Sequence, residues 1–308
     1  MPPIFPHTDE VNGPLIWPCY LEPLFRPPAE AWSMIVQVTR GCSSNSCGFC
    51  GMYKGIDFQA RPLRNIETWT ASIPLHLRSE VDRLFLADGD PLCLGPGKII
   101  PVLEIMKRHF TSLRRITAYA RPDNISLYSD DELSQCRELG LSIVYIGLES
   151  GSDRVLRLAG KGSHASDFIT ACNRLSQAGI KVSATAVLGL GGKEFTNEHA
   201  IETAHAVNEA KPSFFSLLNL IKGNNEAFLN RIQPLSRLEV LDETITIVDS
   251  IRARCVFRAN HPSNLVDLEG RLPRDAQRLI EELRSWGEIL TARGLGDSVP
   301  VNDGETGY

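Results

Sequence analysis

Three cysteines, Cys42, Cys47 and Cys50, fall within nine positions of the stretch TRGCSSNSCGFCGMYKG at 39–55. Their spacing is C-x4-C-x2-C. Thiolates are soft ligands, suited to zinc or to iron–sulfur clusters. A structural zinc site usually takes four ligands, arranged as two separated pairs. No second pair stands in the chain: Cys19, Cys93, Cys136, Cys172 and Cys255 are isolated, and His164, His199, His205 and His261 lack paired spacing. A chance group of core cysteines fits poorly, because the stretch is rich in Gly and Ser and is not apolar. A [4Fe–4S] cluster takes one soft ligand per iron, so three thiolates leave one iron open. Catalytic zinc sites keep an open position for the same purpose, to bind a molecule that comes and goes. Cluster and zinc are the competing readings of the triad.

Such a loop must be carried by rigid elements. From Trp32 onward, β-type runs alternate with amphipathic stretches. WSMIVQVT (32–39), RLFLADG (83–89), RITAYA (115–120), SIVYIGLES (142–150), KVSATAVLGLGG (181–192) and SFFSLLNLI (213–221) read as strands. Residues 68–80, interrupted by Pro74, and 97–110, 129–140, 165–179 and 196–210 read as helices. Strands alternating with helices predict parallel pairing with right-handed crossovers. The expected fold class is α/β: a partial (β/α)6 TIM-type barrel with a C-terminal strand/helix extension. The extension holds a helix at 234–253, a strand at 255–264 that runs into a loop, and a terminal helix at 272–294. The expected organisation is an irregular lead-in at 1–31, the core at 32–222, the extension covering the barrel at 223–295, and a flexible tail at 296–308. In such folds the chemistry sits at the C-terminal ends of the strands. Polar and Gly-rich residues collect there: TRGC, ADGD, ARPDN, GLESGS, GLGG and IKGN.

The cysteine loop resembles that of radical S-adenosylmethionine (SAM) enzymes, in the branch related to the Elongator catalytic subunit and the methylthiotransferases. Thr39, Arg40, Gly41, Asn45, Phe49 and GMYK at 51–54 carry the likeness. The commonest spacing of the superfamily is C-x3-C-x2-C, and this chain has one residue more in the first gap. The resemblance implies that Cys42, Cys47 and Cys50 hold a [4Fe–4S] cluster whose open iron binds SAM. An electron from the cluster then cleaves SAM to methionine and a 5′-deoxyadenosyl radical. It further implies cofactor contacts from Phe49, which would pack on adenine, and from Asp88, Gly89 and Asp90, which stand where the superfamily keeps a Gly-Gly-Glu-like motif. The double glycine is here Asp88-Gly89. Glu149 and Ser150 end the fourth strand, where a carboxylate can accept ribose hydroxyls. Ser152 or Asp153 would cap the helix that follows. Arg154 or Arg157 would pair with the SAM carboxylate. Ser183, Thr185 and Val187 share one face of the fifth strand by alternation, and Gly189 closes it.

The segment FRANHPSN at 257–264 is a dense polar run after an apolar strand, and it resembles a C-terminal segment of the same subgroup. Arg258 and His261, with Tyr53 and Lys54 of the cysteine loop, are the candidate residues acting on substrate. Lys54 and Arg258 would favour a small anionic molecule.

Several classes are disfavoured. The formal net charge is −5 and no basic stripe appears, which speaks against a nucleic-acid substrate. No apolar run approaches the roughly 20 residues of a spanning helix. The N-terminal residues lack the pattern of a signal peptide, so a reduced, cytoplasmic chain is expected, with the eight cysteines as ligands or core thiols. A Rossmann dinucleotide site would need G-x-G-x-x-G after the first strand, where the cysteine loop stands instead. No cobalamin domain, second cysteine triad or auxiliary-cluster domain is read. A flavodoxin- or ferredoxin-type electron donor is the expected partner. Transfer of a methyl or aminocarboxypropyl group from SAM is an alternative activity, and a non-catalytic iron–sulfur or zinc protein is a second.

Overall fold

The computed structural model describes Trp17 and residues 19–300. The expected lead-in and tail lie partly outside the described residues. In chain order the elements are β1 (Met34–Gln37), β2 (Thr39–Arg40), β3 (Gln59–Ala60), α1 (Leu63–Ser72), α2 (Leu75–Glu80), β4 (Arg83–Ala87), α3 (Pro96–His109), β5 (Arg115–Ala120), α4 (Asp130–Glu138) and β6 (Leu141–Glu149). There follow α5 (Asp153–Leu158), α6 (Ala165–Gln177), β7 (Lys181–Leu188), α7 (Gly192–Ala210), β8 (Phe214–Asn219), α8 (Glu226–Leu229), α9 (Arg237–Ser250), β9 (Cys255–Ala259), β10 (Leu268–Leu272) and α10 (Ala276–Ala292). Eight strands form one sheet in the order β1-β4-β5-β6-β7-β8-β9-β10. The first six of these are the six strands expected from the sequence, so the α/β fold of partial-barrel type is present. The order has two ends, and among the described residues the sheet does not close.

Local chemistry accounts for the element boundaries. Pro74 precedes α2 and splits the expected helix 68–80 into α1 and α2. Ser129 and Ser236 cap α4 and α9, each in a capping box with the glutamate three residues on. Ser152 caps α5, accepting from the Val155 N–H. Two differences from the sequence reading bear on function. Thr39 and Arg40 leave the first strand and pair antiparallel with Ala60 and Gln59, which ties the base of the cysteine loop. Residues 268–272, which lie between the expected strand and the terminal helix and include the expected first helical residue Leu272, form β10 antiparallel to β9, and the helix starts at Ala276. Gly270 weakens their strand pattern.

The chain forms two compact units. One takes the residues up to Asn45, then Met52–Tyr145 and Arg174–Lys181. In it β1, β4 and β5 pair in parallel. Phe85 meets Tyr119 and Tyr145 edge-on, with centroids 5.0 and 6.2 Å away. Beside them Glu30 is fully buried. It accepts from the Tyr145 hydroxyl at 2.6 Å, from the Ser33 hydroxyl at 2.5 Å and from Arg115 Nη2 at 3.2 Å.

The second unit takes Ser46–Gly51, Ile146–Asn173 and the residues from Val182 on. There β7, β8 and β9 pair in parallel, and β10 closes the edge. Phe215 and Phe257 pack at 6.3 Å on the fully buried face.

Removing one partner of a buried ion pair strands the other. Glu30→Ala is expected to lower unfolding stability by about 3 kcal/mol, at the lower end for such breaks because Arg115 is partly exposed. Denaturant unfolding checks this, and a loss below about 1 kcal/mol, the range of an exposed pair, contradicts it.

Candidate active site

In the first unit the cysteine loop is pressed against the end of β4. The Gly89 N–H donates to the Gly41 carbonyl at 3.0 Å. A Cβ on Gly89 would lie 2.5 Å from the Cys42 Cβ and 2.7 Å from its Cα. Asp90 is buried and accepts from the Ser43 N–H at 2.9 Å and from the Ser43 hydroxyl. Burial pushes its carboxyl up, and the Ser43 bonds pull it partly back. Both oxygens thus hold the residue next to Cys42, a role in loop anchoring that the expectation of a SAM contact had not included. Asp88 takes a φ of 79° and is fully buried. Its carboxylate accepts from Gln37 Nε2 at 3.0 Å and from the Tyr53 hydroxyl at 3.3 Å, and burial raises it to about 7. The aspartate in place of the expected glycine therefore keeps a glycine-like backbone and anchors inward.

That network corrects the role expected of Tyr53. The side chain is 3% exposed, its ring packs on Phe25, and its hydroxyl faces Asp88, so it is not presented to a substrate. Lys54 Nζ donates to the Asn45 carbonyl at 3.0 Å. Asn45, with φ 41°, donates from Nδ2 to the Tyr53 and Ile56 carbonyls. Lys54 too is engaged in shaping the loop. Cys93, read from sequence as isolated, lies close enough to Cys42, Ser43 and Asp90 to feel all three, and burial raises its thiol to about 12.

Within the second unit, residues 46–51 of the loop are held by their own contacts. The Gly48 N–H donates to the Ala159 carbonyl at 2.7 Å, just past α5. Asn225 Nδ2 donates to the Phe49 carbonyl at 2.8 Å. The Phe49 ring packs edge-on against Phe228 at 6.5 Å, in an apolar cluster that includes Val187. Sequence reading missed Asn225. The IKGN stretch flagged the turn but not this amide.

At the end of β6, Glu149 has a φ of 61° and pairs with Lys161 Nζ at 2.8 Å. The same ammonium donates to the Gly147 carbonyl at 2.9 Å. The two side chains are only 13% and 6% exposed. Lys161 was not singled out in the sequence. Arg154, the expected cation, is 61% exposed and lies over the Phe195 ring at 5.3 Å. Arg157 is exposed too. Ser150 is buried, with its hydroxyl 2.8 Å from His199 Nδ1. Burial lowers His199 to about 4, so the ring is neutral.

Ser183 and Val187 are buried, while Thr185 is half-open. Gly189 turns with φ 77°, and its N–H donates to Glu243 Oε2 at 2.7 Å. Glu243 also accepts from Thr196 at 2.7 Å, and burial raises its carboxyl to about 7.

Arg258 on β9 lies over Phe214 at 5.5 Å, with Nε 3.6 Å from Glu269 on β10. His261 heads a tight turn. Its N–H donates to Asn264 Oδ1, and the Ser263 N–H donates to its Nδ1 at 3.1 Å. That bond leaves the proton of the neutral ring on Nε2. Burial lowers the ring's pKa.

Residues 36–207, more than half of the chain, match the family model described as the radical SAM superfamily. The chain belongs to that superfamily. A candidate methylthiotransferase of Methanocaldococcus jannaschii is 22% identical over 188 residues, which cover 58% of this chain and 40% of that protein. Among solved structures, coproporphyrinogen III oxidase from Escherichia coli, described as a radical SAM enzyme, aligns with a TM-score of 0.53 at 19% identity, covering 70% of this chain and 52% of that one. The cobalamin-dependent SAM radical enzyme OxsB aligns with a TM-score of 0.50 at 15% identity, covering 83% of this chain and 36% of that one. This radical SAM chain thus spans 36% to 52% of the length of these relatives.

Enzymes of the superfamily use a [4Fe–4S] cluster and SAM. The donor set here fits a cluster. Cys42, Cys47 and Cys50 are half-buried, none is in a disulfide, and Gly89 leaves Cys42 room against β4. Among the described residues no three His, Cys, Asp or Glu side chains close on one metal-ion position. A cluster does not require that, since each thiolate binds a different iron. No helix among the described residues is long and apolar enough to cross a membrane.

Two outcomes follow from these contacts. Gly89→Ala forces a Cβ into the Cys42 backbone, so iron incorporation on reconstitution should fall severalfold, and Asp90→Ala should lower it too. Near-native iron in both variants, by elemental analysis, contradicts the anchoring role. The second outcome concerns Glu243. Its folded pKa of about 7 lies above the unfolded value, so its contribution is present at low pH and lost as pH rises from ~4.5 to ~7. Stability should fall across that window by up to about 3 kcal/mol from this group. Glu243→Gln keeps an acceptor for the Gly189 N–H, and it should flatten the corresponding part of a melting-temperature profile; an unchanged slope rules the assignment out.

Proposed function

We propose that this radical SAM enzyme cleaves SAM reductively and acts on a small polar, anionic substrate. The observation that carries the reading is the clamp on the cysteine loop at Gly89 and Asp90, beside a three-thiol set. Cys42, Cys47 and Cys50 would hold the cluster, assigned by their spacing within one loop. When bound, the cluster supplies the electron that converts SAM to methionine and a 5′-deoxyadenosyl radical able to take a hydrogen atom from substrate.

The chain's own residues would do the rest. Glu149 would accept ribose hydroxyls, a role supported by its position at the end of β6 beside Lys161. Lys161 is the better cation for the SAM carboxylate, because it is held at the strand end while Arg154 stands in solvent. Phe49 and Val187 offer apolar surface to the adenine, with the Gly189 turn and Ser183 nearby in the chain. Arg258 would supply positive charge, and His261, with its proton on Nε2, would donate a hydrogen bond through that nitrogen. Residues 32–222 serve as the catalytic core and 223–295 as its extension. A flavodoxin- or ferredoxin-type protein would deliver the electron. The reduced thiols suit a cytoplasmic setting.

The likeness to a candidate methylthiotransferase supports a second reading, group transfer from SAM. Product analysis separates the two. Anaerobic incubation of reconstituted enzyme with SAM and reductant should release 5′-deoxyadenosine. Methylthioadenosine as the main nucleoside product would instead establish aminocarboxypropyl transfer, and S-adenosylhomocysteine would establish methyl transfer. A Cys42/Cys47/Cys50 triple Ala variant should lose the iron, the charge-transfer absorbance and all SAM cleavage.

A further inference from the structure

Four strands of the second unit carry one polar row that none of the roles above uses as a whole. Strand β7 sets Thr185 beside Ser216 of β8, Ser216 lies beside Arg258 of β9, and Arg258 lies beside Glu269 of β10. Register partners in a sheet point to the same face. That face is the open one. Ala184 and Ala186 flank Thr185 fully buried, Phe215 and Leu217 flank Ser216 fully buried, and Phe257 and Ala259 flank Arg258 at 0% and 3% exposure. Thr185, Ser216 and Arg258 are themselves half-open.

The donors on this row are not taken up. Neither the Thr185 nor the Ser216 hydroxyl has a hydrogen-bond partner among the described residues. Arg258 is steadied by stacking on Phe214, at 5.5 Å, while its nearest contact to Glu269 is 3.6 Å, too long for a hydrogen bond. Its terminal nitrogens carry no hydrogen bond among the described residues, and the guanidinium lies over Phe214, two residues along β8 from Ser216. Strands about 4.8 Å apart place the backbones of the three residues within roughly 10 Å of one another, inside the reach of an arginine side chain.

We propose that Thr185, Ser216 and Arg258 form a carboxylate-binding subsite, with Ser216 as a specificity-determining residue. The proposal deepens the reading of an anionic substrate and rests on it in taking the open face as the substrate side. A planar fork matches a carboxylate in two parallel hydrogen bonds, and a hydroxyl beside it donates a third. Charge also selects the ligand. One guanidinium, already near the Glu269 carboxylate, balances a single negative charge and leaves a phosphate dianion under-neutralised. The assignment moves Thr185 from the cofactor to the substrate.

The test does not pass through SAM cleavage. Full-length, cluster-loaded enzyme is treated with the arginine reagent phenylglyoxal, and modification of Arg258 is followed by mass spectrometry in the presence of acetate, acetamide or inorganic phosphate. Acetate should slow the modification by about threefold at twice its dissociation constant, by mass action. Acetamide should not slow it, and phosphate should protect less than acetate at equal concentration. A Thr185→Val/Ser216→Ala variant, and Ser216→Ala alone, should lose most of the protection while retaining the unprotected rate. Equal rates in acetate and acetamide, stronger protection by phosphate, or full protection in the variants would overturn the proposal. If the variants fail to fold, as judged by circular dichroism, the comparison of the three probes on the wild-type chain decides alone. Absence of iron or of SAM cleavage in the same sample would sink the enzymatic reading and leave the protection result intact.

Discussion

Position 89 can carry no side chain, and much of the first unit is arranged around that fact. The Cys42 backbone occupies the volume that a Cβ would fill, so strand β4 and the cysteine loop meet at van der Waals contact. Close approach alone does not fix register. The carboxylate of Asp90 does so, by bonding both the N–H and the hydroxyl of Ser43. Asp88 turns the strand end through a left-handed backbone that an aspartate tolerates better than most residues. Gln37 and Tyr53 hold its carboxylate, and Arg61 Nη2 donates to Gln37 Oε1 at 3.2 Å. Three consecutive residues thus serve three ends: conformation, clearance and anchoring.

Five buried or half-buried carboxylates among the described residues fall into two kinds. Glu30 and Glu149 have a cation within 3.2 and 2.8 Å, respectively, and their negative charge is matched locally. Asp88, Asp90 and Glu243 accept from uncharged donors, and burial raises all three. Each of these three organises a loop or turn at a strand end. Hydrogen bonds to amides and hydroxyls give direction there.

Much of the fold was legible because its signals are local. Cysteine spacing, six β-type runs, Pro74 and the Ser129 and Ser152 caps are each readable within a few residues, and all correspond to features of the structure. The candidate site was legible only where one segment carries it. Lys161 stands twelve residues from its partner Glu149, across α5, and nothing in GKG marks it as buried. Glu243 meets the Gly189 turn from a helix 54 residues later. Tyr53 was misread for the same reason. An aromatic beside a lysine in a loop resembles a binding surface until the partner, Asp88, is known to lie 35 residues away. Strand β10 escaped notice because an edge strand with an internal glycine has little pattern of its own.

The bond between Asn225 and the Phe49 carbonyl joins residues 176 apart in the chain. A ribosome delivers residue 49 long before residue 225, at roughly 5–20 residues per second. During that interval the segment between Cys47 and Cys50 lacks the amide that later fixes its backbone. Iron–sulfur delivery that needs the finished loop must therefore wait until about three-quarters of the chain is made, while an assembly factor that prefers a pliable one has roughly 10–35 seconds of access during synthesis.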